Sequence, residues 1–151
     1  MIKYFNKQCL CVALFTMMSS SQLQAHCQVP CGIYDDHARI KSMIEDSETI
    51  NKAMIEMVEL SNKNDLKSKN QSVRWIMNKE KHAQNIINTI GDYFLTQRVK
   101  TSQEDYSSRL MDHHKVIIAA MKSKQNVDIK YVNELRNSIK DLSSYYPEHS
   151  H

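Results

Sequence analysis

Apolar residues recur at helical spacing through most of the chain, and few residues interrupt that pattern. Between residues 35 and 146 there is no proline, and Gly91 is the only glycine, so little opposes helical structure there. Four stretches carry apolar side chains three or four positions apart, which is typical of amphipathic helices. The pattern predicts an all-α protein with four helices within residues 35–146.

Polar segments mark where the predicted helices begin and end. Residues 61–65 (SNKND) follow the first stretch, and residues 101–104 (TSQE) have the form of a capping box that starts the third helix. Asn126 or Asp128 can cap the fourth helix, and Pro147 ends it, which leaves 147–151 as a flexible tail. Short connections favour antiparallel neighbours and therefore an up-down-up-down four-helix bundle. The expected core positions are Ile40, Met43, Ile44, Ile50, Met54, Met57 and Val58, then Val73, Ile76, Ala83, Ile87, Ile90 and Phe94, then Tyr106, Leu110, Ile117, Ala120 and Met121, then Val132, Leu135, Ile139 and Leu142.

Residues 1–25 have the three-part layout of a secretory leader. Lys3 and Lys7 give a positive start, residues 9–18 (CLCVALFTMM) are apolar, and a polar stretch ends at Ala25. Ten apolar residues are too few to span a bilayer as an anchor. We therefore expect cleavage after Ala25, no stable membrane association of the mature chain, and a periplasmic or secreted location. The alternatives are removal by a dedicated peptidase in the cytoplasm, or a leader that stays attached as a helix.

The charge balance of the mature chain argues against a nucleic-acid partner. The leader carries two of the 20 basic residues and none of the 17 acidic ones, which leaves 18 basic against 17 acidic residues. A nucleic-acid-binding domain would need a basic surplus or stripe. The 126 residues that remain are enough for one domain with its own core.

Cleavage after Ala25 would place several metal-binding groups at the new terminus. We call residues 26–34 (HCQVPCGIY) the hook. His26 offers an α-amine and an imidazole, and Cys27 and Cys31 offer thiolates, which favour nickel, copper(I), zinc or iron. An α-amine with an ordinary pKa of about 7.7–8 can lose its proton to a metal near neutral pH. Together with the Cys27 amide nitrogen these donors form an N₂S₂ set that suits square-planar Ni²⁺, with the His26 imidazole in an axial position.

The same donors favour redox chemistry, although other interpretations remain open. Anionic thiolates, a deprotonated amide and an axial imidazole all stabilise Ni³⁺, so a one-electron couple is expected. A disulfide between Cys27 and Cys31 in a helical adaptor is one alternative, and a secreted nickel or copper carrier without turnover is another. A structural zinc site is disfavoured, because no second Cys/His pair lies nearby in the sequence.

The hook resembles the mature N-terminus of nickel-containing superoxide dismutases, which follows the pattern HCxxPCGxY. Segments 38–40 (ARI), 79–80 (KE) and 92–94 (DYF) are also similar to family segments, in the same order. All six fixed positions of the pattern are present, as His26, Cys27, Pro30, Cys31, Gly32 and Tyr34.

The resemblance implies a function and a set of site residues. The family disproportionates superoxide to dioxygen and hydrogen peroxide by cycling one nickel ion per subunit between +2 and +3, and it assembles as a homohexamer of four-helix bundles. Its ligands would here be His26, Cys27 and Cys31. Tyr34 and Tyr93 would line the approach to the metal and order water there.

Three positions depart from the family pattern. Gln28 stands where many members carry Asp. Lys41 and His82 stand where the family has the Glu and Arg that orient the axial imidazole. Such partners fix a ligand imidazole, and Glu45 or Glu80 is the candidate substitute.

Overall fold

The computed structural model describes residues 35–148, so the leader (1–25), the hook (26–34) and residues 149–151 lie outside the described residues. Within 35–148 there is no strand, and no helix is long and apolar enough to cross a membrane. The all-α fold class is confirmed. The elements are α1 (Asp36–Ser61), α2 (Leu66–Asn88), a π-helical segment (Thr89–Arg98) that continues α2, α3 (Tyr106–Gln125) and α4 (Ile129–Leu142).

The four α-helices surround one core. Each helix packs against its neighbours in the sequence, and α4 also packs against α1, which closes the bundle. Short connections make successive helices antiparallel. The buried apolar residues are Ile40, Met43, Ile50, Ala53, Met54, Ala83, Ile86, Ile90, Tyr93, Phe94, Val116, Ala119, Ala120, Val132, Leu135, Ile139, Leu142 and Tyr146.

Acidic side chains cap three of the helices. Asp128 accepts a hydrogen bond from the Lys130 amide at 2.9 Å, which confirms one of the two expected caps for α4. The predicted capping box at 101–104 is wrong, because α3 begins only at Tyr106. The Gln103 side chain instead accepts from the Lys100 amide at 2.8 Å and donates to the Arg98 carbonyl at 3.1 Å. It therefore closes the turn after the π-helical segment and is not part of a helix start.

Five residues that the apolar pattern places in the core are exposed. Their exposed fractions run from 40% to 54%, too high for core positions. On α3 the cause is visible, because fully buried His113 and Ser123 lie on the inward face, and a hydrophobic count cannot detect a core face that contains polar residues. On α2 the inward face begins with Ser68 and Lys79, with the same effect. The five residues are Val58, Val73, Ile76, Leu110 and Met121.

A buried lysine closes the C-terminal end of α3. Lys79 on α2 is 3% exposed, and its ammonium group donates to the carbonyl oxygens of Ser123 at 3.0 Å, of Asn126 at 3.3 Å and of Lys124. It also pairs with Glu80 at 3.2 Å. The last carbonyls of a helix have no partner within the helix and carry the negative end of its dipole. The ammonium group of Lys79 therefore satisfies these carbonyls, which in turn compensate its burial.

Candidate functional site

The chain enters the bundle at the N-terminal end of α1, directly after Tyr34, the last residue of the hook. The Asp35 side chain caps α1 by accepting from the His37 amide at 2.8 Å. The His37 ring donates through Nδ1 to the backbone carbonyl of Tyr146 at 3.1 Å, so the segment after α4 is tied to the same end. Asp35 directly follows the hook in the sequence, so a described side chain that acts together with the hook is expected at this end of the bundle.

Asp36, Tyr93 and Arg98 form a cluster at this entry point. The Tyr93 hydroxyl donates to Asp36 Oδ1. Arg98 donates through Nε to the same carboxylate oxygen at 2.7 Å and through Nη2 to the Tyr93 hydroxyl oxygen at 2.7 Å. These three contacts close a ring of hydrogen bonds between the first turn of α1 and the π-helical segment. They fix Tyr93, one of the two predicted site tyrosines, next to the start of α1.

The π-helical segment provides the backbone that carries Tyr93. The Val99 amide donates to the Phe94 carbonyl at 3.0 Å, five residues back, as π geometry requires. Tyr93 and Phe94 are consecutive and both buried, and their rings meet edge to face with centroids 5.1 Å apart. The turn therefore directs two adjacent aromatic side chains inward, and π-helical turns of this kind occur frequently at functional sites.

The environment of Tyr93 keeps its hydroxyl protonated. Burial, and next the hydrogen bond to Asp36, raise the pKa of Tyr93, and these effects outweigh the lowering by Arg98. The guanidinium carbons of Arg98 and Arg39 lie 4.9 Å and 5.7 Å from the centroid of the ring, within cation–π range. The phenol is therefore neutral near pH 7 and is held by charged groups on two elements.

A buried histidine lies beneath this cluster. The ring of His113 is fully buried, 5.5 Å from Phe94 and 5.7 Å from Tyr146 between centroids. Its Nδ1 donates to the Arg109 carbonyl at 2.6 Å, so in the neutral ring Nε2 accepts the Tyr146 hydroxyl at 3.0 Å. Burial lowers the pKa of His113, and burial likewise raises the pKa of Tyr146 to about 12. Both groups are therefore neutral in the folded protein near pH 7.

We expect the free energy of unfolding to fall as the pH is lowered from 7 to 5. The pKa of His113 is lower in the folded than in the unfolded chain, so its contribution is complete above the ordinary value of 6.5 and is lost as the pH falls through the folded value. The loss is at most roughly 1.4 kcal/mol per pH unit. Urea unfolding of His113→Gln should lack this slope, whereas His114→Gln, at the exposed neighbouring position, should keep it. An equal slope in both variants would assign the pH dependence to other groups.

A polar cavity of about 370 Å³ opens beside the cluster. Among the described residues it is lined by three cationic side chains, Arg98, Lys100 and Arg109, and by Asp36. Asp36 pairs with Arg98 at 2.7 Å, and Asp105 pairs with Arg109 at 2.8 Å. Of the charged side chains that line the cavity itself, three are cationic and only Asp36 is anionic, which favours small anions near the entry point.

The structure locates only part of the predicted site. His26, Cys27, Cys31 and Tyr34 lie outside the described residues, so their arrangement stays a prediction. Within 35–148 no group of three or more His, Cys, Asp or Glu side chains could hold a metal ion.

The two departures within the bundle are engaged in other contacts. Lys41 pairs with Glu148 at 2.6 Å, and His82 Nδ1 lies 2.5 Å from Asp46 Oδ1. Of the candidate substitutes, Glu45 is exposed, and Glu80 pairs with the buried Lys79. None of these contacts identifies a partner for the His26 imidazole.

Asp36 and Arg98 were not selected from the sequence. An aspartate in the first turn of a helix is already explained by its favourable interaction with the helix dipole, so Asp36 gives no functional signal. Arg98 lies 62 positions from Asp36 in the sequence, so no local pattern connects the two. The one sequence signal was the position of Asp36 two residues after the hook. Their shared contact with Tyr93 emerges only when α1 and the π-helical segment are packed together.

The described residues form an antiparallel four-helix bundle, and the sequence places cysteine and histidine residues before its first helix, an arrangement that suits a small α-helical metalloprotein. The chain belongs to the nickel-containing superoxide dismutase family, whose model matches residues 21–150. It is therefore an oxidoreductase that acts on superoxide and uses nickel, and the carrier alternative receives no support. Searches of curated proteins and of solved structures gave no match to this chain.

Proposed function

We propose that this dismutase holds its nickel ion in the hook, after the leader has been removed behind Ala25. The ligands are the α-amine and imidazole of His26, the amide nitrogen and sulfur of Cys27, and the sulfur of Cys31. The observation that carries the proposal is the hydrogen bond from Tyr93 to Asp36, because Asp36 follows Cys31 by only five residues. This contact supports a role for Tyr93, the one described tyrosine of the predicted pair, because it ties the Tyr93 hydroxyl to the first turn of α1, which follows the hook in the sequence.

The donor set fits nickel and the reaction that the family performs. Nickel bound there would supply the one-electron couple between +2 and +3 that dismutation requires. Cys27 and Cys31 would contribute anionic thiolates, whose negative charge stabilises Ni³⁺ relative to Ni²⁺. Two superoxide ions and two protons then yield one dioxygen and one hydrogen peroxide.

Tyr34 and Tyr93 line the approach and order water beside the metal in this proposal. The phenol of Tyr93 is buried and neutral, so it can hold a water molecule without adding negative charge that would repel superoxide. The positive balance of the neighbouring cavity, with Arg98, Lys100 and Arg109 in its wall, favours the approach of an anion. The attraction weakens with ionic strength over a Debye length of about 8 Å at 0.15 M salt.

Export and assembly are further parts of the proposal. The layout of residues 1–25 supports export to the periplasm or the exterior. We further propose a homohexamer, as the family resemblance implies, and exposed apolar residues on the α1–α2 hairpin are available for contacts between subunits. They are Ile55, Val58, Leu66, Val73, Ile76 and Met77.

Metal analysis combined with electron paramagnetic resonance tests the ligand set. We expect the purified mature protein to contain about one nickel ion per chain, to show a Ni³⁺ signal with axial nitrogen splitting, and to disproportionate superoxide. His26→Gln keeps the α-amine and should lose the nitrogen splitting, whereas Cys27→Ser and Cys31→Ser should lose nickel. His114→Gln is the matched control and should retain both signal and metal. Bound nickel that stays diamagnetic without superoxide turnover would contradict the redox proposal.

A further inference from the structure

The polar cavity beside the entry point collects basic side chains from two parts of the chain. Arg98 ends the π-helical segment, Lys100 lies in the turn after it, and Arg109 lies in the first turn of α3. Asp36 is the only acidic side chain among the described residues of the wall. The volume of about 370 Å³ is at the lower end of the range of small-molecule pockets, about 300–1,000 Å³. The cavity therefore has room for an anion of several atoms and offers it donors from two elements.

Both arginines are held in place by contacts that leave part of each guanidinium for further partners. Arg98 donates through Nε to Asp36 at 2.7 Å. Arg109 donates through Nε to both carboxylate oxygens of Asp105 at 2.8 Å, and its guanidinium carbon lies 4.4 Å from the centroid of the Tyr145 ring. A guanidinium has five N–H donors in one plane, which suits the oxygens of a phosphate group. Because the contacts at Nε already order these side chains, binding an anion costs little side-chain freedom.

Two other residues of the wall have polar groups without a partner in the described part of the chain. Lys100 is exposed, and its ammonium group forms no hydrogen bond or ion pair with residues 35–148. Gln97 also lines the cavity, and both polar atoms of its side chain are buried without a hydrogen-bond partner. Such an amide is costly to bury, because it has lost its hydrogen bonds to water. A ligand that accepts from Gln97 Nε2 and donates to Oε1 would satisfy both atoms.

We infer that this cavity binds a small oxyanion of the hydrogen phosphate type. Hydrogen phosphate has oxygens that accept from Arg98, Lys100 and Arg109, and one hydroxyl that can donate to the Gln97 oxygen. Hydrogen bonds from cations to an anion are stronger than those between neutral groups, and the negative charge offsets the excess of cations in the wall. The site goes beyond the proposed function, because its ligand is not superoxide and because its named donors all lie within 35–148.

Calorimetric titration of the purified mature protein with phosphate, near neutral pH and at constant ionic strength, tests the inference. We expect saturable binding to one site per chain. Lys100→Gln removes one charged donor and should weaken phosphate binding by about tenfold. Lys63→Gln is the matched control, because Lys63 is exposed in the connection between α1 and α2 and its replacement changes the net charge equally. Its affinity should equal that of the wild type. An equal loss in both variants would assign binding to net charge and overturn the inference.

Gln97→Met provides an independent test, because methionine fills a similar volume without a polar amide. Without phosphate this variant should unfold at a temperature no lower than that of the wild type, because no buried amide is left unsatisfied at this position. Phosphate should raise the unfolding temperature of the wild type by binding the folded state, and should raise that of Gln97→Met less. Sulfate has no hydroxyl for the Gln97 oxygen, so it should bind the wild type more weakly than phosphate. Equal stabilisation of the wild type, Lys100→Gln and Gln97→Met by phosphate would place the anion elsewhere and overturn the inference.

Discussion

One extra residue placed before His26 should abolish nickel binding and dismutase activity while the bundle stays folded. The extension turns the α-amine into an amide, which removes a metal donor and alters the chelate rings that it shares with Cys27. Loss of a group that merely contacts a metal ligand costs roughly 10–100-fold in affinity or activity. Loss of a ligand itself should cost more. The measurement is nickel content and superoxide turnover of purified chains that begin with Ser-His26 and with His26.

The control is the same serine added after His151, which leaves the α-amine free. Circular dichroism and thermal unfolding should be the same for all three chains, because the buried core of the described residues runs from Ile40 to Tyr146, away from both added residues in the sequence. Full activity of the Ser-His26 chain would overturn the role of the amine as a ligand. Reduced activity in both extended chains would indicate that added residues disturb this end of the bundle in general.

Replacing Lys79 by methionine should destabilise the protein by about 3 kcal/mol, because the helix-end carbonyls that it serves lose their donor. Methionine fills a volume similar to that of lysine, so no cavity forms. The loss of stability therefore measures the removal of the charge and of its hydrogen bonds. The Ser123 carbonyl is one of the acceptors that would lose Lys79, and the Ser123 hydroxyl is already buried without a hydrogen-bond partner. The variant would therefore have several unsatisfied polar groups at the end of α3. For a domain of this size the midpoint of thermal unfolding should fall by about 10 °C.

Lys81→Met provides the matched control. Lys81 lies two residues further along α2 and is exposed, and we expect its replacement to change stability by less than about 0.5 kcal/mol. Chemical unfolding of both variants gives the comparison. Equal stability of the two variants would show that water replaces the ammonium group at the carbonyls without cost. Lys79→Arg should also be destabilising, because the planar guanidinium is larger and less able to reach several carbonyls at one point.

The helical architecture could be predicted because many weak signals agreed along the chain. Apolar spacing, the near absence of glycine and proline, and short polar connections all favoured an antiparallel bundle, and the core includes Ile40, Met54, Phe94 and Leu135 as expected. The inward face of α3 was harder to predict. His113 is buried there because it has a partner at each ring nitrogen, and those partners come from Arg109 and Tyr146. A count of hydrophobic residues contains no information about such pairing.

The candidate site also has one part that could be predicted from the sequence and one part that could not. The hook is a local motif whose chemistry follows from adjacent residues, so its ligands could be proposed from the sequence. The surroundings of Tyr93 depend on contacts across 57 and 62 positions, which no local pattern specifies. The π-helical geometry of residues 89–98 was also not predicted, although the helical character of that stretch was. The buried residues of this stretch, Ile90, Tyr93 and Phe94, have a spacing that an α-helix also produces, so the sequence gives no separate signal for π geometry.

The two ends of the described chain meet, and this has a practical consequence for purification. The His37 ring donates a hydrogen bond to the backbone carbonyl of Tyr146, and Lys41 forms an ion pair with Glu148. Glu148, the last described residue, therefore lies against the first turns of α1. A polyhistidine tag added after His151 begins four residues beyond Glu148, a span of at most about 14 Å. Such a tag brings extra imidazoles to the end of the bundle where the hook begins. Nickel measured on a protein tagged there would count both sites, whereas an untagged chain reports the hook alone.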